Sequence, residues 1–181
     1  MKVWRTLGGD ASAAARIAAE CGLPPVVAGI LAGRGFGDPA AVGRFLHPRL
    51  ADLGDPFALP DMAPAVRRIW RAIEAGEPVA IFGDYDVDGL VSAGLLTQVL
   101  TRLGAGRVSV WLPSRQAEGY GFSPAALQRC LDGGRPGLIL TADCGTNDRE
   151  AVGHANALGI EVVVTDHHAC SETPAPAHAV V

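Results

Sequence analysis

Long apolar runs are missing from these 181 residues. No stretch approaches the roughly 18 residues that a membrane span needs. Met1-Lys2-Val3-Trp4-Arg5 leads into no hydrophobic signal segment. The expectation is a soluble, cytoplasmic protein. Cysteine is scarce and unpaired in sequence: Cys21, Cys130, Cys144 and Cys170 form no Cys-x-x-Cys. That argues against a disulfide framework and a zinc ribbon. Lysine is nearly absent, Lys2 being the only one. No Gly-x-x-x-x-Gly-Lys phosphate loop and no Gly-x-Ser-x-Gly nucleophile elbow occurs, nor any internal repeat. Disorder is excluded as a general description, because 49% of residues are hydrophobic and only 19% charged.

What is present changes character near residue 60. Residues 1–60 are rich in Ala, Gly and Pro and read as a small helical leader. Asp10 or Ser12 would cap a helix over Ala13–Cys21, ended by Gly22. Pro24-Pro25 opens a second helix that stops at Gly33, and Asp38-Pro39 opens a third that reaches Phe45-Leu46. Asp61 would cap an amphipathic helix with Val66, Ile69, Trp70 and Ile73 at helical spacing, ended by Gly76. Strands and helices then alternate. The strands are Val79–Phe82, Val108–Leu112, Leu138–Thr141 and Ile160–Thr165. The helices are Leu90–Leu103, Pro124 to about Leu131, and Asp148 to Leu158. This pattern predicts an α/β fold, a parallel sheet with helices on both faces. Ser171–Val181 reads as a loop.

Ligands in such sheets bind beyond the carboxyl ends of the strands. The first strand runs into Asp84-Tyr85-Asp86-Val87-Asp88-Gly89, the third into Asp143-Cys144-Gly145, and the fourth into Asp166-His167-His168. On an extended backbone Asp84, Asp86 and Asp88 would project to one side and converge. Carboxylates gathered this way need a cation or a proton. Carboxylate with imidazole suits Mn²⁺ or Mg²⁺, and two divalent ions would offset the formal charge of −4. Gly89 would allow a sharp turn into the next helix. Taken singly, Asp88 or Asp143 also reads as a helix cap, and the His pair as surface.

Rival readings fail on particular letters. An EF-hand loop starting at Asp84 needs Glu at its twelfth position, where Leu95 stands. A haloacid-dehalogenase-type phosphatase needs a downstream lysine. A zinc site from Cys144, His167, His168 and Cys170 would leave the aspartates unexplained.

These three clusters resemble the first three motifs of the DHH phosphoesterase superfamily. Arg34-Gly35, Phe45-Leu46-His47-Pro48, Asp55-Pro56-Phe57, Asp61-Met62, Pro113-Ser114-Arg115 and Glu118-Gly119-Tyr120-Gly121 further resemble its RecJ family of single-stranded-DNA exonucleases. The resemblance implies a leader over 1–60 and a DHH domain over 61–181. It places a fourth motif, a second subdomain and an OB-fold domain beyond Val181. It implies two-metal hydrolysis of phosphodiesters, 5′ to 3′ on single-stranded DNA, in repair and recombination.

By the same resemblance Asp143 bridges the two ions, Asp86 holds one, and Asp88 and His167 hold the other. Asp84 ligates or orients, and His168 faces the phosphate. Arg115 would meet a neighbouring phosphate and Tyr120 would stack on a base or ribose. A single-strand-binding protein and a RecQ-type helicase are the implied partners. The alternatives are a DHH phosphoesterase for short oligonucleotides, cyclic dinucleotides or pyrophosphate, and a non-catalytic DNA-binding scaffold.

Overall fold

The structure is a computed structural model that describes residues 3, 9–114, 116 and 118–181. It divides into two compact units, Met1–Gly54 and Asp55–Val181, ahead of the compositional change near residue 60.

The first unit holds helices α1 (Ala11–Cys21), α2 (Pro25–Gly33) and α3 (Pro39–Leu46) and a 3₁₀ turn at Leu50–Asp52. Asp10 caps α1 by accepting from the Ser12 amide, and Asp38 caps α3 by accepting from Ala40 and Ala41. Ile17, Ala28, Leu31 and Val42 form its small core.

The second unit opens with a 3₁₀ turn at Pro56–Ala58 and helix α4 (Met62–Ala75). Asp61 precedes α4 in a left-handed conformation and makes no side-chain cap. Its carboxylate instead accepts from the Val180 amide at 3.2 Å. The expected cap is thus replaced by a tie to the chain's last strand. There follow β1 (Val79–Gly83), α5 (Val87–Arg102), β2 (Val108–Trp111), α6 (Pro124–Asp132), β3 (Leu138–Ala142), α7 (Arg149–Ala157), β4 (Glu161–Thr165) and β5 (Ala179–Val180).

The sheet is parallel throughout, in the order β2-β1-β3-β4-β5. β5 corrects the expectation of a loop over Ser171–Val181. Two residues are too few to show a strand period, yet they register with Val163 and Val164 of β4. β1 and β3 are buried along their whole length, as central strands covered on both faces must be. Alternate residues feed two cores. Ala80, Phe82, Ile139, Val162 and Val164 pack with Leu127 of α6 and Val152 of α7. Val79, Ile81, Leu138, Leu140 and Val163 pack with Ala65 and Ala72 of α4 and Ala93 and Leu100 of α5. The chain leaves β1 toward β2 and returns on its other side as β3. The carboxyl ends of β1 and β3 therefore form a topological switch point, the usual place for a ligand cleft in an open α/β sheet. No described helix is long and apolar enough to cross a membrane.

Candidate metal centre

Asp84 directly follows β1. It is 1% exposed, and its buried carboxylate oxygens have no side-chain hydrogen-bond partner among the described residues. Its backbone is held between two neighbours: its amide donates to Ala142 at 3.2 Å, and α5 lies against it at Gly89. A Cβ on Gly89 would fall on the Asp84 backbone. Gly89 therefore serves close approach within α5 rather than the turn expected of it. Burial pushes the Asp84 carboxyl above the usual aspartate range.

Asp86 is the N-cap of α5. Its Oδ1 accepts from the Asp88 and Gly89 amides at 3.0 and 3.1 Å. The hydrogen bond from Gly89 is the main cause holding its carboxyl below the ordinary range. The chain turns into helix here, so the extended spacing expected over Asp84, Asp86 and Asp88 breaks after Asp86. Asp88 lies in the first turn of α5, exposed, and outside the groups of converging ligand atoms described next.

Asp143 follows β3 with φ +64°, a left-handed conformation that non-glycine residues seldom adopt. Its carboxylate oxygens are buried and lack hydrogen-bond geometry to any described partner. His167 Nε2 nevertheless lies only 2.9 Å from Oδ1. Burial is the largest cause raising the Asp143 carboxyl, followed by its contact with Asp86.

Two sets of ligand atoms converge, each within 4.8 Å: Asp84, Asp86 and Asp143, and Asp143, His167 and His168. Asp143 belongs to both. Four buried oxygens without a well-formed side-chain hydrogen bond among the described residues, on two carboxylates that both resist ionisation, form an arrangement that a divalent cation would complete. The donor set of carboxylate and imidazole suits a hard or borderline ion. A cavity of about 530 Å³ opens beside it, walled by Val87, Asp88, Val91, Asp143, Asp166 and His167.

Asp166 emerges as a further residue of the site. Its side chain is 3% exposed. Oδ1 accepts from His168, at Nδ1 (2.8 Å) and at the amide (3.1 Å), and Oδ2 accepts from the Thr146 amide (3.1 Å). Burial opposes its ionisation, but these bonds outweigh burial and lower its carboxyl. The same pair raises the His168 imidazole, chiefly through the Asp166 hydrogen bond. The sequence signals for Asp166 are its place at the carboxyl end of the fourth strand, in the cluster with His167 and His168, and its position two residues before His168. Asn147, which accepts from the Ser171 amide and donates to Ala169 to fix the loop after His168, gave no signal at all.

Tyr120 is 51% exposed, and its hydroxyl lies 3.1 Å from the His168 ring nitrogens and 3.4 Å from the Asp143 carbonyl oxygen. Arg115 lies outside the described residues. Of the alternative zinc set, the Cys144 thiol is buried against the Phe82 carbonyl and Cys170 is exposed. Neither joins a converging group among the described residues.

A solved structure of exonuclease RecJ bound to manganese superposes with a TM-score of 0.59 and 34% identity, over 66% of this chain and 31% of that one. RecJ of Thermus thermophilus in complex with Mn²⁺ superposes with a TM-score of 0.65 and 28% identity, over 96% and 24%. The single-stranded-DNA-specific exonuclease RecJ of Bacillus subtilis is 38% identical over 146 residues, which is 81% of this chain and 18% of that protein. The chain thus spans less than a fifth of that relative's length. Residues 78–181, which hold every carboxylate and imidazole of the centre, match the DHH family N-terminal domain, and the chain belongs to the DHH family.

Proposed function

We propose that this chain carries the metal centre of a divalent-cation-dependent exonuclease that degrades single-stranded DNA from the 5′ end, in repair and recombination. The observation that carries the reading is Asp143, a buried carboxylate with no well-formed hydrogen bond among the described residues, which belongs to both groups of ligand atoms. The similarity to RecJ exonucleases supplies the substrate class.

In this reading Asp84, Asp86 and Asp143 hold one cation, and Asp143 with His167 holds a second. Asp88, on the wall of the same cavity, adds a carboxylate to the second. Cations bound there supply charge neutralisation and polarisation of the scissile phosphate. The remaining work falls to side chains. Asp166 fixes the ring of His168 and favours its protonated form. His168 thereby presents positive charge where a non-bridging phosphate oxygen gains negative charge. The half-exposed ring of Tyr120, pinned at its hydroxyl, offers a stacking face to a base. Arg115 is assigned to a neighbouring phosphate.

The test is degradation of 5′-free and 5′-blocked single strands with Mn²⁺, using this chain and any longer product of the same gene, with Asp143→Ala as control. Loss of the 5′-free strand alone, abolished by the substitution, is the expected result. Equal loss of both strands removes the polarity. Activity that survives Asp143→Ala removes the centre.

A further inference from the structure

At the amino ends of the strands, opposite the metal centre, α4 places Pro64, Arg67, Arg68 and Arg71 around a cavity of about 290 Å³, closed by His178 just ahead of β5. The spacing puts these α4 residues on one helix face. Arg68 is 3% exposed. Its Nε donates to Glu161, and its Nη2 donates to Glu77 at 2.7 Å and to the Gly137 carbonyl at 3.0 Å. These acceptors stand at the starts of β4, β1 and β3, so Arg68 stitches α4 to the lower edge of the sheet.

That structural role uses only part of the side chain. Nη1 is buried and has no partner among the described residues. A guanidinium cannot shed its charge to escape this, unlike a lysine or histidine. Its neighbours do not fill the need. Both oxygens of Glu161 are engaged, Oε2 by Arg68 and Arg71 (3.4 Å from Arg71) and Oε1 by His178 Nδ1 at 2.9 Å. Arg67 is exposed and makes no ion pair among the described residues. Three arginines meet two carboxylates, so the cavity keeps an excess of positive charge and unused donors. A fold-stabilising arginine alone would not need two further arginines at the same mouth.

We infer that this cavity is an oxyanion site that takes a phosphate group. Arg68 adds fixed positive charge at the buried base of the cavity, and the exposed Arg67 and Arg71 supply the donors to the phosphate oxygens. Several guanidinium groups around one compact site favour a multivalent anion such as phosphate over a singly charged carboxylate. The volume also admits a substituent on the phosphate, so a phosphate monoester and a nucleic-acid backbone share the required chemistry. This cavity is separate from the metal centre, which lies at the other ends of the strands.

The experiment is titration of the EDTA-treated chain with inorganic phosphate, thymidine 5′-monophosphate and a 12-residue oligothymidylate with free hydroxyl ends. Binding is read by calorimetry and by NMR shifts of the arginine Nε–H groups. Saturable binding with a shift at Arg68, weakened at least tenfold in Arg67→Gln/Arg71→Gln, is expected. Both substituted side chains are exposed, so circular dichroism should show an unchanged fold. Binding of phosphate and the monophosphate but not the oligomer assigns a free phosphoryl ligand; binding of the oligomer, falling with salt, assigns a strand. Absence of saturable binding, or equal affinity in the double variant, overturns the site.

Discussion

Asp143 joins a left-handed backbone to a buried carboxylate whose oxygens have no well-formed hydrogen bond among the described residues. Each property costs stability in a metal-free chain. Asparagine tolerates the same backbone conformation and has nearly the same shape, but it carries no charge. Asp143→Asn is therefore expected to melt higher than the parent in EDTA, by about 1–3 kcal/mol, which is several degrees for a chain of this size. Mn²⁺ should raise the melting temperature of the parent and leave the variant nearly unmoved. Thermal unfolding with and without Mn²⁺ checks both statements. A variant that melts lower in EDTA and gains as much from Mn²⁺ as the parent would show that Asp143 is a structural residue. Asp86 makes the contrast, since its carboxylate already caps α5, and Asp86→Asn keeps a good cap with no stability gain expected.

Between β2 and α6, Tyr120 reaches His168, and Glu118 ties Ser114 to Arg129 of α6. Glu118 Oε2 accepts from the Ser114 amide at 2.7 Å, and its two oxygens meet Arg129 at 2.9 and 3.0 Å. Arg129 in turn donates to the Leu112 carbonyl at 2.6 Å and lies 5.5 Å from the Trp111 ring centre. Burial works against the Glu118 charge, but the Ser114 and Arg129 bonds outweigh it and hold its carboxyl low. A lowered folded-state pKa gives stability that is present above the unfolded value and lost as pH falls through the folded one. Glu118→Gln should therefore cost about 1 kcal/mol at neutral pH, after allowance for the exposed arginine. That deficit should close in acid. Melting curves of both proteins across pH 3 to 7 test it; a deficit that persists unchanged in acid would exclude the charge as its cause. The elements on either side of this segment are legible in the sequence, because buried central strands appear as short apolar runs between capped helices. β5 is not, since two residues show no period. The start of α5 is misread because Asp84-x-Asp86-x-Asp88 looks extended, whereas the Asp86 side chain captures two amides and begins the helix. The ligand clusters are legible through their place after the strands. The burial of Asp84 and Asp143, and the grip of Asp166 on His168, depend on three-dimensional neighbours that no local spacing reveals.

At the scale of the whole molecule, the apolar cores respect the boundary between the two units. Ile17, Ala28, Leu31 and Val42 lie within Met1–Gly54, and every residue of the two sheet cores lies within Asp55–Val181. All the carboxylates and imidazoles of the metal centre also belong to the second unit. A chain of residues 55–181 should therefore fold alone, unfold in one cooperative transition, and gain as much melting temperature from Mn²⁺ as the 181-residue chain does. The first unit is a different case. Among the described residues four buried side chains make its small core, while Phe45, Leu50 and Leu53 are 53%, 88% and 75% exposed. Domains of this size bury too small a fraction of their surface to be robust. Residues 1–54 alone should show weak helicity and no sharp transition by circular dichroism. If residues 55–181 fold but lose the Mn²⁺ response of the longer chain, the helical unit contributes to the centre, and the assignment of cation binding to the DHH-family segment alone fails.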